Sequence, residues 1–368
     1  MNRSFLFLSI LLLLSAACTP PATDGSQEAL ADTTWMMGPF VKLDSLNPIL
    51  NPLDTTRFWC PVRQDIVAWE AKDVFNPAVL VRNNRVILIY RAEDTVGKHA
   101  GTSRLGMAWS LDGKQFNRLP QPFFYPGQDS LQSYEWEGGC EDPRVVEDSL
   151  GRVIMTYTAY DGQTARLMVA TSRDLVTWEK HGPAFGQTPY RNTWSKSGSI
   201  VARREGSRLI ATRIQGKYWM YWGDTDIFVA TSSDLIHWTP VESSPGKALA
   251  ALRPRPGKFD SRLVEPGPPA ILTDQGIVLI YNGMNLATGG DPALAPDTYA
   301  GGQALFDPAK PDHLLDRTAV PFIRPDKPYE LDGQVHRVCF LEGLAFFKNE
   351  ILLYYGTADS RIAMAVAR

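Results

Sequence analysis

The chain has 368 residues, with 37 Lys and Arg against 40 Asp and Glu, for a formal net charge of −3. Its 44 % hydrophobic and 21 % charged residues exclude a disordered chain, and there is no basic excess to neutralise nucleic-acid phosphates. The 29 Gly, 27 Pro, 10 Trp, 13 Tyr and 16 Phe favour strands broken by frequent turns, which predicts one large β-rich domain.

The first predicted element is a leader over residues 1–17. Arg3 precedes an apolar run at 5–14, too short to span a bilayer, and Ser15, Ala16 and Ala17 follow. Cys18 comes directly after these small residues, as in a bacterial lipoprotein signal. The expectation is an exported chain, lipidated at Cys18 and attached to the membrane only through that anchor, on the periplasmic side or at the cell surface. Residues 18–35 then read as the lipidated Cys and a flexible tether, and 36–368 as the domain.

Cys60, Cys140 and Cys339 have no CxxC spacing, and the five histidines form no HxxxH pair, so neither a metal site nor a cofactor is predicted. At most one disulfide can form among these three cysteines.

A repeat then sets the architecture. VATSRDLVTW at 169–178 returns as VATSSDLIHW at 229–238, with a weaker copy, MAWSLDGKQF, at 107–116. Strand-like runs precede these motifs or stand alone: RVILIYRAED from Arg85, RVIMTYTAYD from Arg152, RLIATRIQGKYWMYWG from Arg208, GIVLIYNGMN from Gly276 and EILLYYGTAD from Glu350. Just before each lies a third series: FNPAVLV, EDPRVVE, SKSGSIV, EPGPPAIL and LEGLAFF. Five strand–turn–strand–turn–strand units predict an all-β, five-bladed β-propeller. The chain stops after RIAMAVA, the third strand of the last unit. The segment 39–49 is expected to supply the missing outer strand and close the ring, which would remove exposed sheet edges.

In such a ring the starts of the innermost strands converge. Those positions hold Asn76, Glu141, Asp142, Arg144, Lys196, Glu265 and Glu342, and the turns after the second strands add Arg91, Glu93, Asp94, Asp161, Asn282 and Asp359. Gathering this many carboxylates is costly unless they are paired or solvated, which marks an active site. Two carboxylates across a pocket suit glycoside cleavage, one donating a proton and the other activating water or attacking carbon. Trp136, Trp194, Trp219 and Trp222 are candidate sugar-stacking rings, whereas Trp178 and Trp238 read as blade core.

The motifs NPAVL, YRAED, SRLGMAWSLDG, CEDPRVV, YTAYDG, KSGSIV, EPGPPAIL, LIYNG and LYYGTADS, in this order, resemble glycoside hydrolase family 130 over residues 39–368. The resemblance implies five-bladed propellers that cleave β-mannosides with phosphate or with water. It implies a mannose-containing oligosaccharide as substrate and makes Asp142, the aspartate of EDPR, the catalytic acid, acting directly or through a sugar hydroxyl. It further implies that Asn76, Arg91, Ser103, Arg104 and Asp307 contact the mannose and that Arg144 positions Asp142 or the sugar.

Phosphorolysis requires a basic cradle. The His-Arg-Pro that follows a Lys-Tyr strand in the family's phosphorylases is replaced here, after Lys217 and Tyr218, by a run ending in Gly223 and Asp224. Glu265 precedes the Gly-Pro-Pro run where phosphorylases carry small residues. The reading is therefore inverting hydrolysis, with Glu265 as base and Asp224 or Glu342 as substitutes, resembling the family's exported β-1,2-mannosidases. The rivals are a mannoside phosphorylase, a non-catalytic glycan-binding lipoprotein and an arabinan-type propeller hydrolase. Loops 125–138 and 286–298 are the candidates for linkage selectivity. Oligomeric state is unreadable from the sequence.

Overall fold

The computed structural model describes residues 34–368, of which Trp35–Arg368 form one unit. The predicted leader, Cys18 and the tether up to residue 33 lie outside the described residues. The described chain is all-β. Its only helical pieces are the four-residue turns Gln132–Glu135, Pro189–Asn192 and Pro328–Leu331.

The strands fall into five successive antiparallel groups. The first runs Asp73–Arg82, Arg85–Glu93, Ser103–Ser110 and Asn117–Arg118. Gly139–Glu147, Val153–Tyr160, Ala165–Ser172 and Glu179–Pro183 make the second. The third is Ser199–Ile200, Lys217–Trp222, Ile227–Ser232 and Trp238–Pro240. In the fourth, Leu263–Pro266 and Ile271–Thr273 share Gly276–Met284, followed by Tyr299–Asp307 and Lys310–Arg317. Cys339–Phe347, Glu350–Thr357 and Arg361–Ala367 begin the fifth. Its outer strand is Val41–Lys42, from within the expected segment 39–49, with Val41 opposite Val366.

One expected strand divides. The run from Arg208 is not a single element: Arg208–Ala211 forms a hairpin with Ala202–Glu205, and only Lys217–Trp222 takes the second-strand place. The break is the turn at Gln215 and Gly216, both at positive φ, which returns Arg213–Ile214 onto Lys217–Tyr218.

The recurring S-x-D motif is a turn. Ser172 Oγ accepts from Leu175 N at 2.8 Å, and Asp174 Oδ1 accepts from Val176 N and Thr177 N at 2.8 Å each. Ser232 with Asp234, and Ser110 with Asp112, repeat the pattern. Short side chains that mimic backbone acceptors hold these turns at no cost in core volume, which explains the near-identity of the copies.

A second repeat was not legible in the sequence. In four groups a buried acid accepts from a second-strand tyrosine and pairs with a base, in each case one supplied by the outer strand. Glu70 holds Tyr90 at 3.0 Å and Arg118 at 2.9 Å. Glu135 holds Tyr157 at 2.8 Å and Lys180 at 2.6 Å. Asp260 holds Tyr281 at 2.7 Å and Arg317 at 2.5 Å. Glu330 holds Tyr355 at 2.8 Å and Lys42 at 2.7 Å. Lys42 therefore occupies in the last group the place that Arg118, Lys180 and Arg317 occupy in theirs, which is why a two-residue strand suffices to complete it. The third group differs, with Tyr221 donating to Pro311 O at 2.8 Å.

Cys60, Cys140 and Cys339 are all buried free thiols, so the single disulfide left open by the sequence does not form among them.

Candidate active site

Three inner strands carry the same local device. Asn76, Asp142 and Ser197 each precede Pro or Gly and sit at positive φ (47°, 45° and 57°). The ladders slip beside two of them, between Phe75 and Pro77 and between Glu141 and Arg144. A bulge re-aims a side chain out of the pleat, and residues held in this sparsely populated region cluster at functional sites. Gly356 makes room for the first: a Cβ there would lie 2.3 Å from Asn76 Oδ1.

These turns converge on Asp142, which is 4 % exposed. Asn76 Nδ2 donates to Asp142 Oδ1 at 2.9 Å, Arg91 Nη1 donates to the same oxygen at 3.1 Å, and Lys196 Nζ lies 3.5 Å from Oδ2. Burial works to raise this carboxyl's pKa. The charges of Arg91 and Lys196, with the Asn76 hydrogen bond, outweigh it and hold Asp142 well below the usual carboxylate range. Glu141 shares both cations, Arg91 at 3.0 Å and Lys196 at 3.7 Å, yet burial and the neighbouring Asp142 leave it raised. The cations themselves, Arg91 and Lys196, are held firmly protonated: burial opposes this, and the surrounding carboxylates override it.

Arg91 is the hub. It also donates through Nε to Ser103 Oγ at 3.0 Å and through Nη2 to Glu93 at 2.7 Å. Glu93 in turn takes Lys72 at 2.8 Å. Half-buried Asp359, at the start of the last turn, is pushed up to about 7. Burial is the largest cause; Arg91 opposes it, and the charges of Asp142 and Glu93 reinforce it.

Glu265 is 5 % exposed and accepts a short hydrogen bond from Ser197 Oγ. Burial pushes it up to about 7, Lys196 and Arg144 opposing and Asp224 reinforcing. Arg144 is committed to the backbone, donating to Gly267 O and Pro266 O at 2.8 Å each and to Asp142 O at 3.2 Å. Glu342 is fully buried, and both its carboxylate oxygens lack a hydrogen-bond partner among the described residues; Arg144 Nη2 is 3.7 Å away. Burial pushes its pKa well up despite Arg144.

Several expected site residues lie elsewhere. Asp94 accepts from the backbone of Val96, Gly97 and Thr102 and pairs with fully buried Arg104 at 2.7 Å, so this pair holds the 94–102 loop instead of facing a ligand. Asp307 ends the strand that begins at Tyr299, about 27 Å away along an extended strand, and its carboxylate accepts from Ala309 N in the far turn. Lys217 and Tyr218 begin the strand whose other end leads to Asp224; Lys217 is exposed, and the Tyr218 ring is covered by Arg213 at 4.4 Å. Strand direction decides this: the Trp222 end of that strand leads to the cluster, where Gly223 N donates to Lys196 O at 2.9 Å. Asp161 is tied to Arg166 at 2.7 Å and Asn282 to the Leu341 backbone. Asp224 is close enough to Glu265 to perturb it, and its Oδ2 accepts from Trp194 Nε1 at 2.7 Å.

Three site residues escaped the sequence reading. Ser197 was findable, since KSGSIV aligns it with Asn76 and Asp142. Lys72 and Tyr299 gave no signal. Burial and the charges of Glu265, Asp359 and Asp224 push the Tyr299 phenol well up, which places it among these carboxylates.

Buried carboxylates of opposed proton affinity, held by an arginine–lysine pair at one end of an all-β fold, define an enzyme of glycosidic bonds. The chain belongs to glycoside hydrolase family 130, whose model, described as beta-1,4-mannooligosaccharide phosphorylase, matches residues 45–368. Among characterised relatives, a 1,2-beta-oligomannan phosphorylase from Thermoanaerobacter sp. (strain X514) is 31 % identical over 306 residues, covering 81 % of this chain and 90 % of its own. A glycosyl hydrolase structure from Bacteroides ovatus is 46 % identical with a TM-score of 0.88, covering 90 % of this chain and 94 % of that one. Another solved structure comes from work on glycoside hydrolases, within this family of mannoside phosphorylases, that target β-1,2 mannosidic linkages in Candida mannan. It is 44 % identical with a TM-score of 0.89, at coverages of 90 % and 94 %.

Proposed function

We propose that this chain is an exported, lipid-anchored β-mannosidase that hydrolyses β-1,2-mannosidic bonds with inversion. Its five strand groups would be the blades of one closed propeller. The observation that carries hydrolysis is the engagement of the basic groups around Glu265. Lys196 lies between Glu141 and Asp142, Arg91 bonds three carboxylates, and Arg144 is spent on backbone carbonyls. None of these three groups is left over for a phosphate.

Glu265 is the base, ionised above about pH 7. Asp142 is the acid, although its neighbours hold it ionised. Arg91, Lys196 and Asn76 hold it so, and Asn76 and Arg91 are also expected to bind the sugar. A mannose that takes over the Asn76 hydrogen bond relieves one of these contributions and offers a hydroxyl through which Asp142 can pass its proton, while the charges of Arg91 and Lys196 remain. The similarity to structures at 44 % and 46 % identity described as glycoside hydrolases supports the same reading.

A phosphorylase is the second reading, favoured by the 1,2-beta-oligomannan phosphorylase relative at 31 % identity. Incubation with β-1,2- and β-1,4-mannobiose, each with and without inorganic phosphate, separates the two. Free mannose formed at equal rate in both arms is expected from β-1,2-mannobiose; phosphate-dependent mannose 1-phosphate would establish the phosphorylase.

A further inference from the structure

Three aromatic rings stand in a row beside the acidic cluster and belong to none of the hydrophobic core clusters. The Trp194 indole is 47 % exposed and meets Tyr160 edge-on, with centroids 6.4 Å apart at 69°. Tyr160 meets His99 in the same manner at 5.8 Å and 67°. The rings come from three separate segments, and two of them adjoin the site. Tyr160 pairs with Gly139, two residues from Glu141, and Trp194 precedes Lys196 by two residues.

The row is built to stay in place. Gly138 and Gly162 leave the space it fills: a Cβ at Gly138 would lie 2.3 Å from Tyr160 Cδ1, and one at Gly162 would lie 2.2 Å from His99 Nε2. The Trp194 indole is fixed by its hydrogen bond to Asp224. Exposed or half-buried aromatic rings beside a site mark a surface that a ligand covers. Flat, amphipathic sugar rings match it, since their C–H faces stack on aromatic faces while their hydroxyls stay solvated.

We propose that His99, Tyr160 and Trp194 form the platform that binds the sugar units of an oligosaccharide beyond the bond being cleaved. The proposal rests on reading the adjacent cluster as a β-mannoside-cleaving site. It makes the platform a determinant of chain-length preference, acting on binding and leaving the chemical step alone.

The test compares a β-linked mannobiose with the mannotetraose of the same linkage, using whichever acceptor, water or phosphate, supports turnover. Trp194→Ala should raise KM for the tetraose about tenfold, a larger factor than any change in kcat, and affect the biose distinctly less. His99→Ala, at the far end, should weaken the tetraose only. Trp194→Phe keeps a ring and should recover most of the loss, which separates stacking from misfolding. Calorimetric titration of mannotetraose into Glu265→Gln with and without Trp194→Ala repeats the comparison without turnover. Equal losses on both sugars, or an unchanged tetraose, would overturn the platform. A strict phosphate requirement would overturn the hydrolase reading and leave the platform standing.

Discussion

Lys42→Ala should destabilise the domain far more than a change in a two-residue edge strand suggests. Lys42 is 12 % exposed at its side chain, and its ammonium lies 2.7 Å from both Glu330, which is fully buried, and Asp326. Burial opposes the Lys42 charge, but these partners and the nearby Cys339 overcome it and raise its pKa. Removing the cation strands the Glu330 carboxylate, still bonded to Tyr355 and to the backbone of Asp326 and Lys327, in a site closed to water. Breaking a buried pair in this way costs about 3 kcal/mol. For a unit of this size the unfolding entropy is about 0.7 kcal/mol per kelvin, so Tm should fall by about 4 °C. Differential scanning calorimetry of Lys42→Ala, Glu330→Gln and the double variant measures it. The double variant should recover most of the loss, because a neutral amide no longer needs the cation. A Lys42→Ala Tm within 1 °C of the parent, or a double variant as unstable as Lys42→Ala, would refute the clip and with it the role of Val41–Lys42 as a full member of the last group.

The remaining predictions concern the site. Asp142→Asn and Glu265→Gln should both abolish cleavage of mannobiose, but a dinitrophenyl β-mannoside, whose leaving group needs no proton, should rescue Asp142→Asn alone; rescue of Glu265→Gln instead would exchange the two roles. The rate at low substrate should rise with pH through about 7 as Glu265 ionises, and Asp142→Asn acting on the dinitrophenyl β-mannoside should keep that limb. The same carboxyl titrates near 4.5 unfolded, so the folded state holds a proton that the unfolded state has released between 4.5 and about 7; stability is lost as pH rises through that window, and Glu265→Gln should be the more stable protein at pH 8, by on the order of 3 kcal/mol. Gly356→Ala should reduce kcat/KM at least tenfold with little change in the far-UV spectrum, since its methyl would displace Asn76, one of the groups that set Asp142; unaltered kinetics would remove Asn76 from the site.

Composition, the repeated turn motif and the alternation of aromatic and β-branched runs were enough to predict an all-β chain of repeated antiparallel groups. These features are local, because a Ser-x-Asp turn or a strand needs only its own residues. The pairing of segment 39–49 with the last strand was legible for a related reason: the last repeat lacks its outer strand, and an unpaired edge must find a partner. The site was legible where a motif carries its own geometry. EDPR and FNPA each place a side chain at a bulge, and the structure brings Asp142, Glu141 and Asn76 together there with Arg91 of YRAED.

The errors share one cause. Lys217, Tyr218 and Asp307 lie on strands of the right groups but at the wrong end: the cluster gathers the starts of first strands and the ends of second strands, whereas Lys217 starts a second strand and Asp307 ends a third. Asp94 and Arg104 were right in position and wrong in use, because which acid pairs with which base depends on burial and distance across the fold. The same holds for the acid–tyrosine–base clips, whose partners Lys42 and Glu330 are 288 residues apart. Charge type can be read from a sequence. The environment that sends Asp142 down and brings Glu265 to about 7 is assembled only when several strand groups meet, since desolvation and Coulomb terms act through space and not along the chain.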